Sequence, residues 1–152
     1  MSERYKPNTT VAAIIHCGGK FLLVEELIDG EVRYNQPAGH LEADESIIEA
    51  CKREILEETG LIITPFSLVG IYQFTANPEL AFVRFTFCAE LPIQVKCEPL
   101  DPAITRTHWF SREQIAKKSE QMRSPLVLKS IDDFIKQQGK HYSVRLLNAD
   151  YL

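Results

Sequence analysis

Short apolar runs punctuated by turn residues open the chain, and a helical spacing follows them. Val11–His16 is an apolar run of strand length, closed by a Gly18-Gly19 turn. Lys20–Glu25 repeats the pattern, so the two predict a β-hairpin. Asp29-Gly30 is a second strong turn signal, followed by a short extended segment, Glu31–Asn35. Pro37 and Gly39 then predict a loop. Over Ser46–Thr59 the apolar period becomes helical, with Ile47, Ile48, Cys51 and Ile55 on one stripe. Ser46 and Glu49 fit a capping box at its start, and Gly60 supplies the stop.

The second half returns to strands. Phe66–Thr75 is one, and Asn77-Pro78 is a turn. Ala81–Glu90 alternates. Ala81, Val83, Phe85, Phe87 and Ala89 share one face, with Phe82, Arg84, Thr86 and Cys88 on the other. Leu91–Asp101, rich in proline, predicts a loop, and Thr105–Phe110 a short strand. Ser111 with Gln114 caps a short helix; Ser124-Pro125 opens a longer one that stops at Gly139. The tail His141–Leu152 follows no single pattern. Strands, helix, strands, helices predict an α+β fold, an α/β/α sandwich around a mixed β-sheet, with 1–152 as one domain.

Composition narrows the partners. The 152 residues are 45% hydrophobic and 25% charged, ordinary for a soluble globular chain. The net charge of −4 argues against nucleic-acid binding, which needs a basic surface. No signal peptide or membrane span is expected, so the expected compartment is cytoplasmic, with no membrane partner. Cys17, Cys51, Cys88 and Cys97 form no CxxC pair and are expected to be reduced thiols. Oligomeric state, monomer or homodimer, stays open.

The chemistry concentrates in Gly39–Leu61, which reads GHLEADESIIEACKREILEETGL. Glu54, Glu57 and Glu58 share a helix face beside the apolar stripe. Carboxylates gathered at the edge of a core repel one another unless a cation joins them. Oxygen ligands of this kind suit Mg²⁺, or Mn²⁺, and such ions meet substrate phosphates. On spacing alone, three glutamates read more readily as a solvated helix face.

Gly39, Glu45, Arg53, Glu54, Ile55, Glu57, Glu58, Gly60 and Leu61 resemble, at all nine positions, the signature of the Nudix hydrolase family. The resemblance spans 39–61, and chance recurrence in such a chain lies well below about one in a million. It implies the sandwich fold and hydrolysis of a nucleoside diphosphate linked to another group, or of related pyrophosphates. It implies Glu54, Glu57 and Glu58 as metal ligands, with the Gly39 carbonyl as a further one. Either Glu54 or Glu57 would help deprotonate water. Arg53, counted with the catalytic set, would orient the glutamates; Glu45 would support the loop–helix junction, and Gly60 would let the chain leave the helix.

Further segments resemble one bacterial branch of that family: NQPAGHLEADE at 35–45, TVAAIIHCGGKFLLVEE at 10–26, FVRF at 82–85 and RSPLV at 123–127. That branch implies Mg²⁺-dependent release of phosphate from hydroxymethylpyrimidine pyrophosphate, thiamine pyrophosphate and nucleoside tri- and diphosphates. The chain departs from it at Tyr34, where tryptophan is expected, and from Lys140 onward. The alternatives are hydrolysis of ADP-ribose, nucleotide sugars or dinucleotide polyphosphates, and a non-catalytic metabolite sensor. RNA decapping fits poorly with a chain lacking a basic domain.

Around this centre, Arg84 and Arg123 are candidates for phosphate, Arg123 because it precedes a helix N-terminus. His40 either contacts phosphate or orders its loop, and Gln36 is a candidate to hydrogen-bond substrate. Tyr34 and Tyr72 are candidates to stack on an aromatic ring, with core packing as the other reading. Glu98 or Asp101 would supply a further acid, and spacing does not choose between them. His16, His108 and His141 stand at no ligand spacing, and Trp109 reads as packing.

Overall fold

A computed structural model describes residues 2–152. Its strands are β1 (Asn8–Cys17), β2 (Lys20–Ile28), β3 (Glu31–Asn35), β4 (Ala38–His40), β5 (Ser67–Asn77), β6 (Leu80–Glu90), β7 (Ile104–Ser111) and β8 (Tyr142–Ser143). The helices are α1 (Ile47–Thr59), α2 (Arg112–Lys117) and α3 (Leu126–Gln137). Single 3₁₀ turns lie at Ser119–Gln121 and Val144–Leu146.

The strands form one mixed sheet, ordered β3-β2-β1-β6-β5-β8, with β4 also on β1 and β7 also on β2. β1 runs parallel to β6, and the remaining pairs are antiparallel. β1 and β2 pair only at His16–Phe21 and Cys17–Lys20. Beyond that they part, β1 continuing beside β4 and β6, β2 beside β3 and β7. The parting opens the sheet at the end where β1 begins.

Both faces of the sheet are covered, which explains the unbroken apolar run of β1. Val11, Ala13, Ile15 and Phe87 pack with Ala50, Cys51 and Ile55 of α1. Ile14, Val69 and Cys88 pack on the opposite face with Ile115, Val127, Ile131 and Phe134 of α2 and α3. The two faces of β6 follow the expected alternation, Phe87 toward α1 and Cys88 toward α3.

The helix caps behave as their residues dictate. Ser46 and Glu49 exchange the two bonds of a capping box, and Gly60 adopts φ 75° as α1 ends. Ser111 and Gln114 do the same for α2. α3 stops one residue before the expected Gly139, with Gln138 itself at φ 49°.

One element differs from expectation. Residues 38–40, expected as loop, form β4, where Ala38, Gly39 and His40 pair with Ala12, Val11 and Thr10. Pro37 stays just outside the ladder, where its missing N–H costs nothing, while its carbonyl accepts from Ala13 N–H at 2.9 Å. Residues 91–103 form no strand but follow α1 closely. Glu98 N–H donates to the Thr59 carbonyl, and Leu100 and Asp101 N–H both donate to that of Glu57. All four cysteines are free thiols.

Candidate active site

α1 and β4 bring the acidic residues together. Buried Glu58 accepts the Ala38 N–H at 2.7 Å, tying the helix to β4. Glu54, also buried, lies under Gly39, where any side-chain carbon would overlap its carboxylate. Glycine is therefore required at 39 by close approach; its φ is not positive. Glu57 is half-buried at the rim.

Arg53 is the hub. Its Nε and Nη2 grip the Glu45 carboxylate at 2.9 and 2.8 Å, and Nη2 also donates to the His40 carbonyl at 2.9 Å. Nη1 donates to Glu54 at 2.7 Å and Glu57 at 3.3 Å. This arrangement suits the orienting role that the motif implies for Arg53. Its guanidinium is committed to protein acceptors, which makes it a positioning residue.

Burial sets the electrostatics. Loss of hydration pushes the Glu58 carboxyl up to about 8, against the Ala38 N–H bond, and the charges of Glu54, Glu26 and Asp101 push the same way. Burial raises Glu54 too, with Arg53 opposing. Glu45 is held below the ordinary carboxylate range, chiefly by its Arg53 bonds. Among the described residues no group of three or more acid, histidine or cysteine side chains is arranged to hold a metal ion. Glu54 and Glu57 instead converge on one Arg53 nitrogen, a point already holding positive charge.

A cleft of about 310 Å³ opens beside β4. Thr10, Glu26, Asn35, Gly39, His40, Arg84 and Arg123 supply its polar lining; Phe74, Leu80, Phe82 and Leu126 line it as apolar residues. Arg84 is only 7% exposed, and its Nη2 donates to Asn35 at 3.1 Å and Gln36 at 3.0 Å. Its Nε has no partner, nor has the buried hydroxyl of Thr10, its register neighbour on β1. Burial lowers the guanidinium to about 10, with Glu58 opposing. It stays charged at neutral pH, with a donor to spare.

The remaining candidates fall into place around the cleft. His40 and Arg123 line it, and Arg123 is paired to Glu26 at 2.6 Å. Asp101 acts electrostatically on Glu58, whereas Glu98 is exposed and approaches α1 through its main chain. Three expectations are corrected. Gln36 cannot reach a ligand: it is 1% exposed and bonds Ser130, Val127 and Arg84. Tyr34 is core, edge-on to His108 and Phe110, and its carbonyl anchors the Arg123 N–H at 2.7 Å. Tyr72 donates its hydroxyl to Asp133 on α3, in a different depression.

Sequence reasoning passed over Glu26, Asn35, Phe74 and Phe82. Glu26 had a signal. Two adjacent acids in a strand face opposite sides, so when Glu25 pairs with His108 at 2.9 Å, Glu26 turns to the other face.

The sequence pattern of the NUDIX domain matches residues 5–130. The chain belongs to the NUDIX family. It is 43% identical to phosphatase NudJ of Escherichia coli strain K12 over 143 residues, 94% of this chain and 92% of that protein. A NUDIX hydrolase from Nitrosomonas europaea is 44% identical in sequence and superposes with a TM-score of 0.85, covering 95% of this chain and 97% of the other. A bifunctional NMN adenylyltransferase/ADP ribose pyrophosphatase from Francisella tularensis, crystallised with AMP and a Mn ion, shares the fold alone. It is 19% identical, with a TM-score of 0.67 over 90% of this chain and 43% of that one. The chain is thus a Nudix phosphohydrolase of the NudJ-like kind, in a family that generally uses divalent metal ions. Among the described residues no helix is long and apolar enough to cross a membrane.

Proposed function

We propose that this enzyme removes phosphate from small organic pyrophosphates, hydroxymethylpyrimidine pyrophosphate and thiamine pyrophosphate foremost, and from nucleoside tri- and diphosphates. One observation carries the reading. Buried Arg84, whose Nε has no partner, lines the same cleft as Gly39, and Gly39 lies against Glu54 of α1. A cleft of about 310 Å³ is at the small end for ligand sites, which favours a compact substrate over a dinucleotide. The likeness to phosphatase NudJ over nearly the whole chain supports the same choice.

The donor chemistry of these residues suits a divalent cation. Glu54, Glu57, Glu58 and the Gly39 carbonyl are hard oxygen donors, and burial makes the charge of Glu54 and Glu58 costly without a counter-ion. Mg²⁺ or Mn²⁺ held there would lower the pKa of a bound water and neutralise phosphate oxygens. Arg84 would bind a phosphate oxygen through its free donor. Arg123 would add a second charge once a phosphate competes with Glu26. Glu57, the most accessible of the three, would take the proton of the attacking water, with Glu54 as the other candidate. Arg53, fixed by Glu45, would keep both in place.

A kinetic panel of thiamine pyrophosphate, its pyrimidine precursor, nucleoside di- and triphosphates, ADP-ribose and a dinucleotide polyphosphate tests this directly. Phosphate release with the highest kcat/KM on the pyrimidine or thiamine compounds is expected. Preference for ADP-ribose or the dinucleotide, with paired monophosphates as products, would overturn the substrate assignment. Undiminished turnover in E57Q and E58Q would overturn the mechanism.

A further inference from the structure

The cleft has an apolar end that the phosphate chemistry leaves unused. Phe74 and Phe82 stand opposite one another in the β5–β6 register. Their ring planes lie 11° apart with centroids separated by 6.5 Å. Both line the cleft, and both are half-buried. Neither belongs to the two hydrophobic cores or packs against them. Two phenyl rings kept out of the core expose apolar surface that a ligand in the cleft would cover.

Their position relative to the anion site defines what that ligand is. Phe82 and Arg84 point from the same face of β6, two residues apart, so their Cα atoms are about 7 Å from each other. Tyr72, the register partner of Arg84, is held away by Asp133, and Leu80 and Leu126 close the apolar end. The two rings carry no titratable group, so they recognise shape and π-face. A flat ring joined by a short link to a diphosphate spans the two ends.

We propose that Phe74 and Phe82 form the platform for the substrate's aromatic ring, and that this pair selects ring-bearing over ring-free pyrophosphates. The proposal rests on the reading of the cleft as a pyrophosphate site. It assigns to β5 and β6 the stacking role that Tyr34 and Tyr72 do not fill.

Equilibrium binding separates this proposal from the hydrolysis itself. Thiamine pyrophosphate and inorganic tripolyphosphate are titrated by calorimetry with Mg²⁺ into E57Q protein, alone and combined with F74L, F82L or F82Y. Leucine keeps the apolar bulk and removes the π-face. The Kd ratio of thiamine pyrophosphate to tripolyphosphate is expected to rise roughly 10- to 100-fold in the leucine variants. F82Y is expected to restore it. An unchanged ratio, or a tyrosine variant that behaves like leucine, overturns the platform. Ring-selective binding by a wild-type enzyme that releases no phosphate upholds the platform and sinks the proposed reaction. Failure of the wild-type protein with Mg²⁺ to bind either ligand sinks both.

Discussion

Arg53 shows how much one side chain settles in this site. Its two bonds to Glu45 fix the plane of the guanidinium, and that plane fixes where Glu54 and Glu57 point. Gly39 sets the same carboxylate from above. G39A is therefore expected to displace Glu54, the flexible partner, and to spare the backbone. kcat should fall on the order of 100-fold, as a misplacement of about 1 Å can cause, while the urea midpoint stays near wild type. A midpoint lost in step with kcat would point to general unfolding. Gln36 is the converse case, expected at the ligand and found in the core. Q36L strips Arg84 and Ser130 of buried partners. A loss of about 1–3 kcal/mol in stability is expected from urea unfolding, together with a raised KM through Arg84. The sequence could mark Gln36 and Tyr34 as polar or aromatic residues near the motif. It could not say which way each side chain turned, because that depends on α3 and β7 closing over β3 from far along the chain.

Elements were legible where local chemistry alone decides them. α1 declared its ends in Ser46, Glu49 and Gly60, and each does what its residue type dictates. β4 was not legible, because three residues flanked by proline carry no periodicity and exist as strand only through the ladder on β1. β8 is shorter still, made by pairing Ser67 with Ser143 and Leu68 with Tyr142. The two ends of α1 should respond unequally to mutation. S46A removes one capping acceptor, expected to cost about 1 kcal/mol. G60A should cost clearly more than that. Its φ of 75° disfavours a side chain, and a Cβ there would overlap the backbone carbonyl of Glu98, which cannot swing away. Chemical denaturation of the two variants side by side checks the order; equal losses would mean that the 98–101 segment yields easily.

At the scale of the molecule, the net charge of −4 is a sum of unlike parts. Gly39–Leu61 holds seven acids and two bases, hence −5, so all the rest sums to +1. The fold then buries part of that acidity, and pH must report it. Glu58 ionises near its ordinary 4.5 when unfolded but near 8 in the metal-free fold. Between those values the folded chain binds more protons than the unfolded one, so stability falls as pH rises. The slope approaches about 1.4 kcal/mol per pH unit at most, giving a loss of a few kcal/mol between pH 5 and pH 8. Glu54, raised in the same direction, adds to it. Mg²⁺ binds the ionised carboxylates of the folded state and should recover stability most at the alkaline end. E58Q removes the titrating group and should flatten the metal-free profile. Urea midpoints measured from pH 5 to pH 8.5, with EDTA and with Mg²⁺, give the comparison. A midpoint in EDTA that stayed level or rose toward pH 8 would mean that Glu58 ionises in the fold without penalty, and that the acidic segment does not depend on a cation to stay folded.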